Sequence, residues 1–198
     1  MTHPPFLIGE AIRFGWHKTR AHSGVLFQGM LALFALQVAG SIVDRVLHDT
    51  LEGFFATHAL TLVNVIIGTG FVFITFKLAK GEHASYRDLV PKGQVVWHYF
   101  CASLLSGLII MLGFIALIIP GIYFVLRFSM VRFAILDGGG IMESLTRSTE
   151  LTKGVKWRLL AFLFALLGLN ILGAAALLVG LLATVPISAI AYAHVYLK

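Results

Sequence analysis

Read from the N-terminus, polar positions gather into short clusters and leave long apolar stretches between them. The first stretch runs from about Val25 to Val43 and the second from about Ala59 to Leu78. Each is close to the roughly 20 residues that a helix needs to cross about 30 Å of hydrocarbon. The blocks Val95–Leu136 and Trp157–Leu197 are each about twice that length, so each is expected to form a helical hairpin. Open loops leave backbone groups unsatisfied in hydrocarbon. The hairpin turns are therefore expected at mid-block, around Gly113–Gly121 and Gly173–Gly180, with Pro120 and Pro186 near the start of the returning helices.

The polar clusters have their own patterning. From Phe6 to His22, apolar residues (Phe6, Leu7, Ile8, Ile12, Phe14, Trp16) alternate with Arg13, His17, Lys18 and Arg20, which predicts an interfacial amphipathic helix. Ile141–Thr152 sets Ile141, Leu145 and Leu151 against Glu143, Arg147 and Glu150 and predicts another. Gly138-Gly139-Gly140 lacks the Gly-Lys-Ser or Gly-Lys-Thr of a phosphate loop, and is expected to separate the fourth span from that helix. A short-range repeat joins these clusters: Asp88-Leu89-Val90-Pro91-Lys92-Gly93 before Trp97 matches Glu150-Leu151-Thr152-Lys153-Gly154 before Trp157. Pro120 also stands as far before Arg132 as Pro186 does before Lys198.

The expected fold is therefore all-α and polytopic, a single membrane domain over residues 1–198. Six transmembrane helices form three parallel hairpins, each preceded by a short interfacial amphipathic helix, in pseudo-repeat units of about 6–80, 82–136 and 141–198. Parallel repeats differ from the inverted repeats of many secondary transporters. With both termini placed on one side, every Lys and Arg except Arg45 falls toward that side, and the positive-inside rule makes it cytoplasmic. The opposite loop, Asp44–His58, holds Asp44, Asp49 and Glu52.

Composition agrees: 59% of residues are hydrophobic and 12% charged, against roughly a quarter charged in soluble domains. The net charge of +6 then indicates anionic lipid head groups at the cytoplasmic face as partners rather than nucleic acid. The one cysteine, Cys101, allows no intrachain disulfide, and the eight histidines lack metal-ligand spacing. No zinc motif or nucleophile elbow is present, so neither an enzyme nor a cofactor is expected.

Arg127 is the strong base left inside an apolar span, the fourth, of about Ala116–Leu136. A central Arg costs about 2.5–3.5 kcal/mol on the lenient insertion scale and demands a partner, a cavity or a snorkelling path. Two readings follow: Arg127, with Arg132 beyond it, binds an anionic group such as a lipid phosphate, or Arg127 snorkels or pairs with Asp137, Glu143 or Glu150. Gln37, Asn64, Asn170 and His194 are candidate buried polar residues. The amides are expected to bond across helices, and His194 to join Tyr192 and Tyr196 in an interfacial belt. Ala161, Ala165, Gly168, Ala176 and Gly180 mark a packing surface within the bundle or between subunits.

The stretch Ile118-Ile119-Pro120-Gly121-Ile122-Tyr123-Phe124-Val125-Leu126-Arg127-Phe128, with Glu143-Ser144-Leu145-Thr146-Arg147-Ser148 and Glu150-Leu151-Thr152-Lys153-Gly154, resembles a known group. It is similar to the bacterial membrane domain fused to some glycerophosphoryl diester phosphodiesterases, and to related small stand-alone membrane proteins. The resemblance implies an all-helical domain in the bacterial plasma membrane and sets Arg127 within the group's motif. It brings no activity, because the phosphodiesterase chemistry belongs to a separate soluble barrel. The function expected is that of a non-enzymatic scaffold, anchor or modulator of lipids or partner proteins, or a homo-oligomer in that role. The alternative is a channel or carrier with a polar path at Arg127.

Overall fold

The computed structural model describes residues 6–47, 50–176 and 180–198. Asp49 of the acidic loop and the middle of the second expected hairpin turn lie outside them. Among the described residues the fold is all-α. The helices are α1 (Ile8–Ala21), α2 (Ser23–Val46), α3 (Leu51–Lys80), α4 (Gly93–Ala116), α5 (Ile118–Phe128), α6 (Val131–Leu136), α7 (Ile141–Leu151), α8 (Lys156–Ala175) and α9 (Leu181–Leu197), with a 3-10 turn at Tyr86–Leu89. Five helical stretches are long and apolar enough to cross a membrane: α2, α3, α4, the α5–α6 pair taken together, and α8. This is the build of a polytopic helical membrane protein. α9, also apolar, has 17 residues and lies at the short end of the spanning range.

α3 begins well before Ala59, so the outer loop is much shorter than expected. Nothing in Leu51–His58 breaks a helix, and the Thr50 hydroxyl accepts the Gly53 amide at 3.0 Å, satisfying an otherwise orphan donor. At the other end Gly81 takes φ 82° and closes the helix, with the Glu82 amide bonded to the Lys77 carbonyl at 2.9 Å. The two later hairpins turn where expected. Leu117 separates α4 from α5, and Gly113 faces Gly121 so closely that a side chain on either would meet the other strand of the hairpin. Gly173 faces Gly180 in the same way between α8 and α9. Pro120 sits in the first turn of α5, whereas Pro186 lies inside α9, past its first turn.

Three elements depart from these expectations or add to them. The second unit opens on the four-residue 3-10 turn, not an amphipathic helix, because Pro91 follows directly and the Leu89 backbone is pressed against Gly70 of α3. α1 is helical and carries charge on one side, but its small residues Ala11 and Gly15 are buried against α9, antiparallel to it, with Gly15 against the Ile187 carbonyl and Glu10 paired to Lys198. On the small-residue face, Gly180 packs within the chain against Gly173 and Ala165 is half-buried, whereas Ala161 and Ala176 are exposed and a Cβ on Gly168 would meet open space. Leu159, Phe162 and Leu166 face the core instead.

Burial is concentrated at one end of the molecule. Ile74, Phe76 and Leu78 of α3, Leu159 and Phe162 of α8, and Ile190 of α9 are fully enclosed there. An aromatic group ties these helices to α6: Phe133 lies 5.8 Å from Phe76, 5.3 Å from Tyr192 and 5.8 Å from Tyr196. At the other end each hairpin is held chiefly by its own two helices. Phe34, Ile42, Phe55 and Leu62 of α2–α3, Ile115 and Ile119 of α4–α5, and Ile171 of α8 are all exposed. The hairpins converge at the end that carries α1 and α7.

Candidate functional site

The break between α5 and α6 sets the two candidate arginines apart. Ser129 and Met130 interrupt the fourth span, and Arg127 and Arg132 on its two sides meet different neighbours. Arg127 lies in the last turn of α5, against α7. Its Nε donates to Thr149 Oγ1 at 3.0 Å, and its guanidinium lies 5.6 Å from the Phe128 ring. With Leu145, Thr146 and Glu150 it lines a shallow cleft of about 270 Å³ between α5 and α7. Of the alternatives for Arg127, pairing with Asp137, Glu143 or Glu150 is not among the ion pairs of the described residues. Asp137 is taken by Lys80, by Arg147 at 3.0 Å and by the Tyr196 hydroxyl at 3.2 Å. Glu143 accepts instead from the Gly140 amide at the start of α7, where Gly138 at φ 97° turns the chain as the triple glycine implied.

Asp137 just after α6 ties α3, α7 and α9 together, and its ionisation reflects this. Burial alone would raise its pKa, but the Lys80 ammonium, the Tyr196 hydroxyl and Arg147 outweigh burial and hold the carboxyl below the ordinary 3.8. Glu10 is likewise held below its ordinary value by its hydrogen bond to Lys198.

Arg132, itself exposed, borders the place where the hairpins meet. It lines a cleft of about 310 Å³ whose walls are Val72 of α3, Ser106 and Ile110 of α4, Val125 and Phe128 of α5, Ser129 between α5 and α6, Phe133 of α6, Leu163 of α8, and Ala189 and Tyr192 of α9. Arg132 is the cleft's single charged group. The polar hydrogens around it are already used: Ser106 donates to the Ser103 carbonyl, Ser129 to the Leu126 carbonyl and Tyr192 to the Ser129 carbonyl. The Arg132 guanidinium also lies beside the Tyr99 hydroxyl. A cation among apolar walls, with its neighbours' donors spent on backbone carbonyls, is suited to an anionic head group carrying a hydrocarbon tail.

The other candidates lie elsewhere. Gln37 is exposed, not buried, and Asn64 is half-buried; both line a separate cleft of about 580 Å³ along α2 and α3. Asn170 bonds across helices as expected, donating at 2.9 Å to the Ser188 hydroxyl of α9 and to the Leu166 carbonyl. His194 does not share a belt with its tyrosine neighbours. It stacks on Phe14 of α1 at 4.0 Å, while Tyr196 is buried in the core and Tyr192 packs against Phe133 and Phe162. The reason is helical phase: residues two apart on α9 point about 200° apart. No group of His, Cys, Asp and Glu suited to a metal occurs among the described residues. Comparison with protein-family models, curated proteins and solved structures gives no match to this chain.

Proposed function

We propose that this is a non-enzymatic integral membrane protein that holds an anionic lipid at the junction of its three hairpins and so modulates or anchors lipids at the cytoplasmic face. The six apolar segments enter the bilayer as three same-facing hairpins, with both termini cytoplasmic in the bacterial plasma membrane. The charge asymmetry and the resemblance carried by the Pro120–Phe128 segment support this placement. The single observation that carries the lipid reading is Arg132 as the one charge in an apolar cleft shared by all three hairpins.

A polar path through Arg127 gains no support, since Arg127, the Gln37–Asn64 cleft, Asn170 and His194 occupy four separate places. Native mass spectrometry from lipid nanodiscs tests the lipid reading. Phosphatidylglycerol is expected to stay bound in preference to phosphatidylcholine, Arg132→Gln to reduce that retention at least tenfold, and Arg127→Gln to leave it nearly unchanged. Undiminished retention by Arg132→Gln sinks the proposal.

A further inference from the structure

The outer halves of α2 and α3 carry a polar seam that the lipid site does not use. On α2 the seam is Gln37, Ser41 and Asp44, and on α3 it is Thr57, Thr61 and Asn64. Both sets follow i, i+4, i+7 spacing, which places each on one face of its helix. The helices run antiparallel, so Gln37 stands at the level of Asn64 and Asp44 at the level of Thr57, and the two rows border one open cleft of about 580 Å³. Gly40 lies in the groove between them, and a Cβ there would meet nothing within 4 Å.

Among the described residues, the hydroxyls and amides of the seam find no partner on another helix. Ser41 and Thr61 donate only to carbonyls of their own helices, Val38 at 2.8 Å and Thr57 at 2.8 Å. The amides of Gln37 and Asn64 have no hydrogen-bond partner among the described residues. Beside the seam, α2 shows the lipid an apolar row of Phe34, Val38 and Ile42, so the polar row is an exception on helices with mean hydropathy 1.8 and 2.1. In hydrocarbon such groups are satisfied by another helix, since lipid tails offer no partners.

We propose that the occupant of this seam is a second copy of the same chain, and that α2 and α3 of two protomers join as a twofold pair. At the level of Gln37 and Asn64 the seam is complementary to itself, while Asp44 lies at its outer end. Gln37 and Asn64 each offer a donor and an acceptor at one depth, and a twofold axis along the membrane normal keeps residues of both copies at matching depths. Gln37 of one protomer then meets Asn64 of its partner, and Gly40 allows the backbones to come close. The inference rests on the membrane placement above but not on the lipid cleft.

Disulfide cross-linking in native membranes tests it in a Cys101→Ser background. Ser41→Cys is expected to give a covalent dimer on mild oxidation, while Ile42→Cys on the apolar row gives at least fivefold less. Adding Gln37→Leu and Asn64→Leu to Ser41→Cys is expected to cut the dimer at least fivefold. Stepwise photobleaching of the unsubstituted, labelled chain in nanodiscs gives an independent count, with two steps expected. A one-step count, cross-linking only to another protein, or labelling of Ser41→Cys by a membrane-impermeant maleimide as fast as an exposed loop thiol each overturns the proposal. The last result would make the seam a water-filled vestibule. Lipid retention by Arg132 is measured separately, so either proposal can fail alone.

Discussion

Ser148 of α7 donates its hydroxyl proton to the carbonyl of Arg127 at 2.8 Å, across a sequence separation of 21 residues, and so caps the end of α5 from a different helix. The same oxygen accepts the Met130 amide at 3.2 Å. One buried hydroxyl thus satisfies a donor and an acceptor freed where α5 gives way to α6, and holds the break that lies between Arg127 and Arg132.

Ser148→Ala is expected to destabilise the protein by about 1–3 kcal/mol, the cost of leaving buried polar groups unpaired. The Thr152 hydroxyl lies 3.4 Å from the same Arg127 carbonyl and makes good part of the loss, so the double variant Ser148→Ala with Thr152→Val should fall further than either single one. Thr146→Ala on the exposed side of α7 should stay within about 0.5 kcal/mol. Unfolding in mixed micelles by circular dichroism measures all of these. A Ser148→Ala as stable as Thr146→Ala would mean the break is held by packing instead.

The Asp137 junction carries a pH signature. Its folded pKa lies below 3.8, so the bound state of the carboxylate contributes stability above that value and loses it as the pH falls through the lower, folded one. The melting temperature is expected to drop further as the pH falls below about 4. Glu10, also depressed, adds to the drop in the same direction. Asp137→Asn should lower stability at pH 7 and flatten the acid limb, because the group that titrates is gone. An acid limb identical in the two proteins would assign the drop to other carboxylates.

Gly15 is where α1 touches the backbone of α9, and a side chain there meets the Ile187 carbonyl and Ala191. Gly15→Val is expected to lift α1 from α9 and to separate Phe14 from His194, with which it stacks. Limited trypsin digestion at Arg13, Lys18 and Arg20 should then speed up at least tenfold, while Gly9→Ala, at an open position, changes it little. Equal digestion of Gly15→Val and the unsubstituted chain would show that α1 tolerates the bulk by shifting along α9.

Much of this architecture was legible in the chain because hydrophobic length and glycine position act locally. The long apolar helices, the tight Gly113–Gly121 and Gly173–Gly180 turns and the amphipathic α7 follow from residues near one another in sequence. Contacts set by three-dimensional phase did not. Nothing in the spacing of Asp137 reveals that Lys80 and Tyr196, both more than 50 residues away, share it. The sequence marks Arg132 as a basic helix end, but its place beside the cleft follows from how α3, α4, α8 and α9 pack around α6, which no local spacing reveals. Apolar neighbours in sequence make Gln37 and Asn64 read as interior amides; Gln37 is exposed and Asn64 only half-buried because few helices flank α2.

α3 has 30 residues and α9 has 17, which at about 1.5 Å per residue come to about 45 Å and 26 Å. They are not separate walls, because α9 packs on α3 and has Ile187, Ile190, Ala191 and Val195 buried, so any tilt that fits the longer helix to a bilayer carries the shorter one with it.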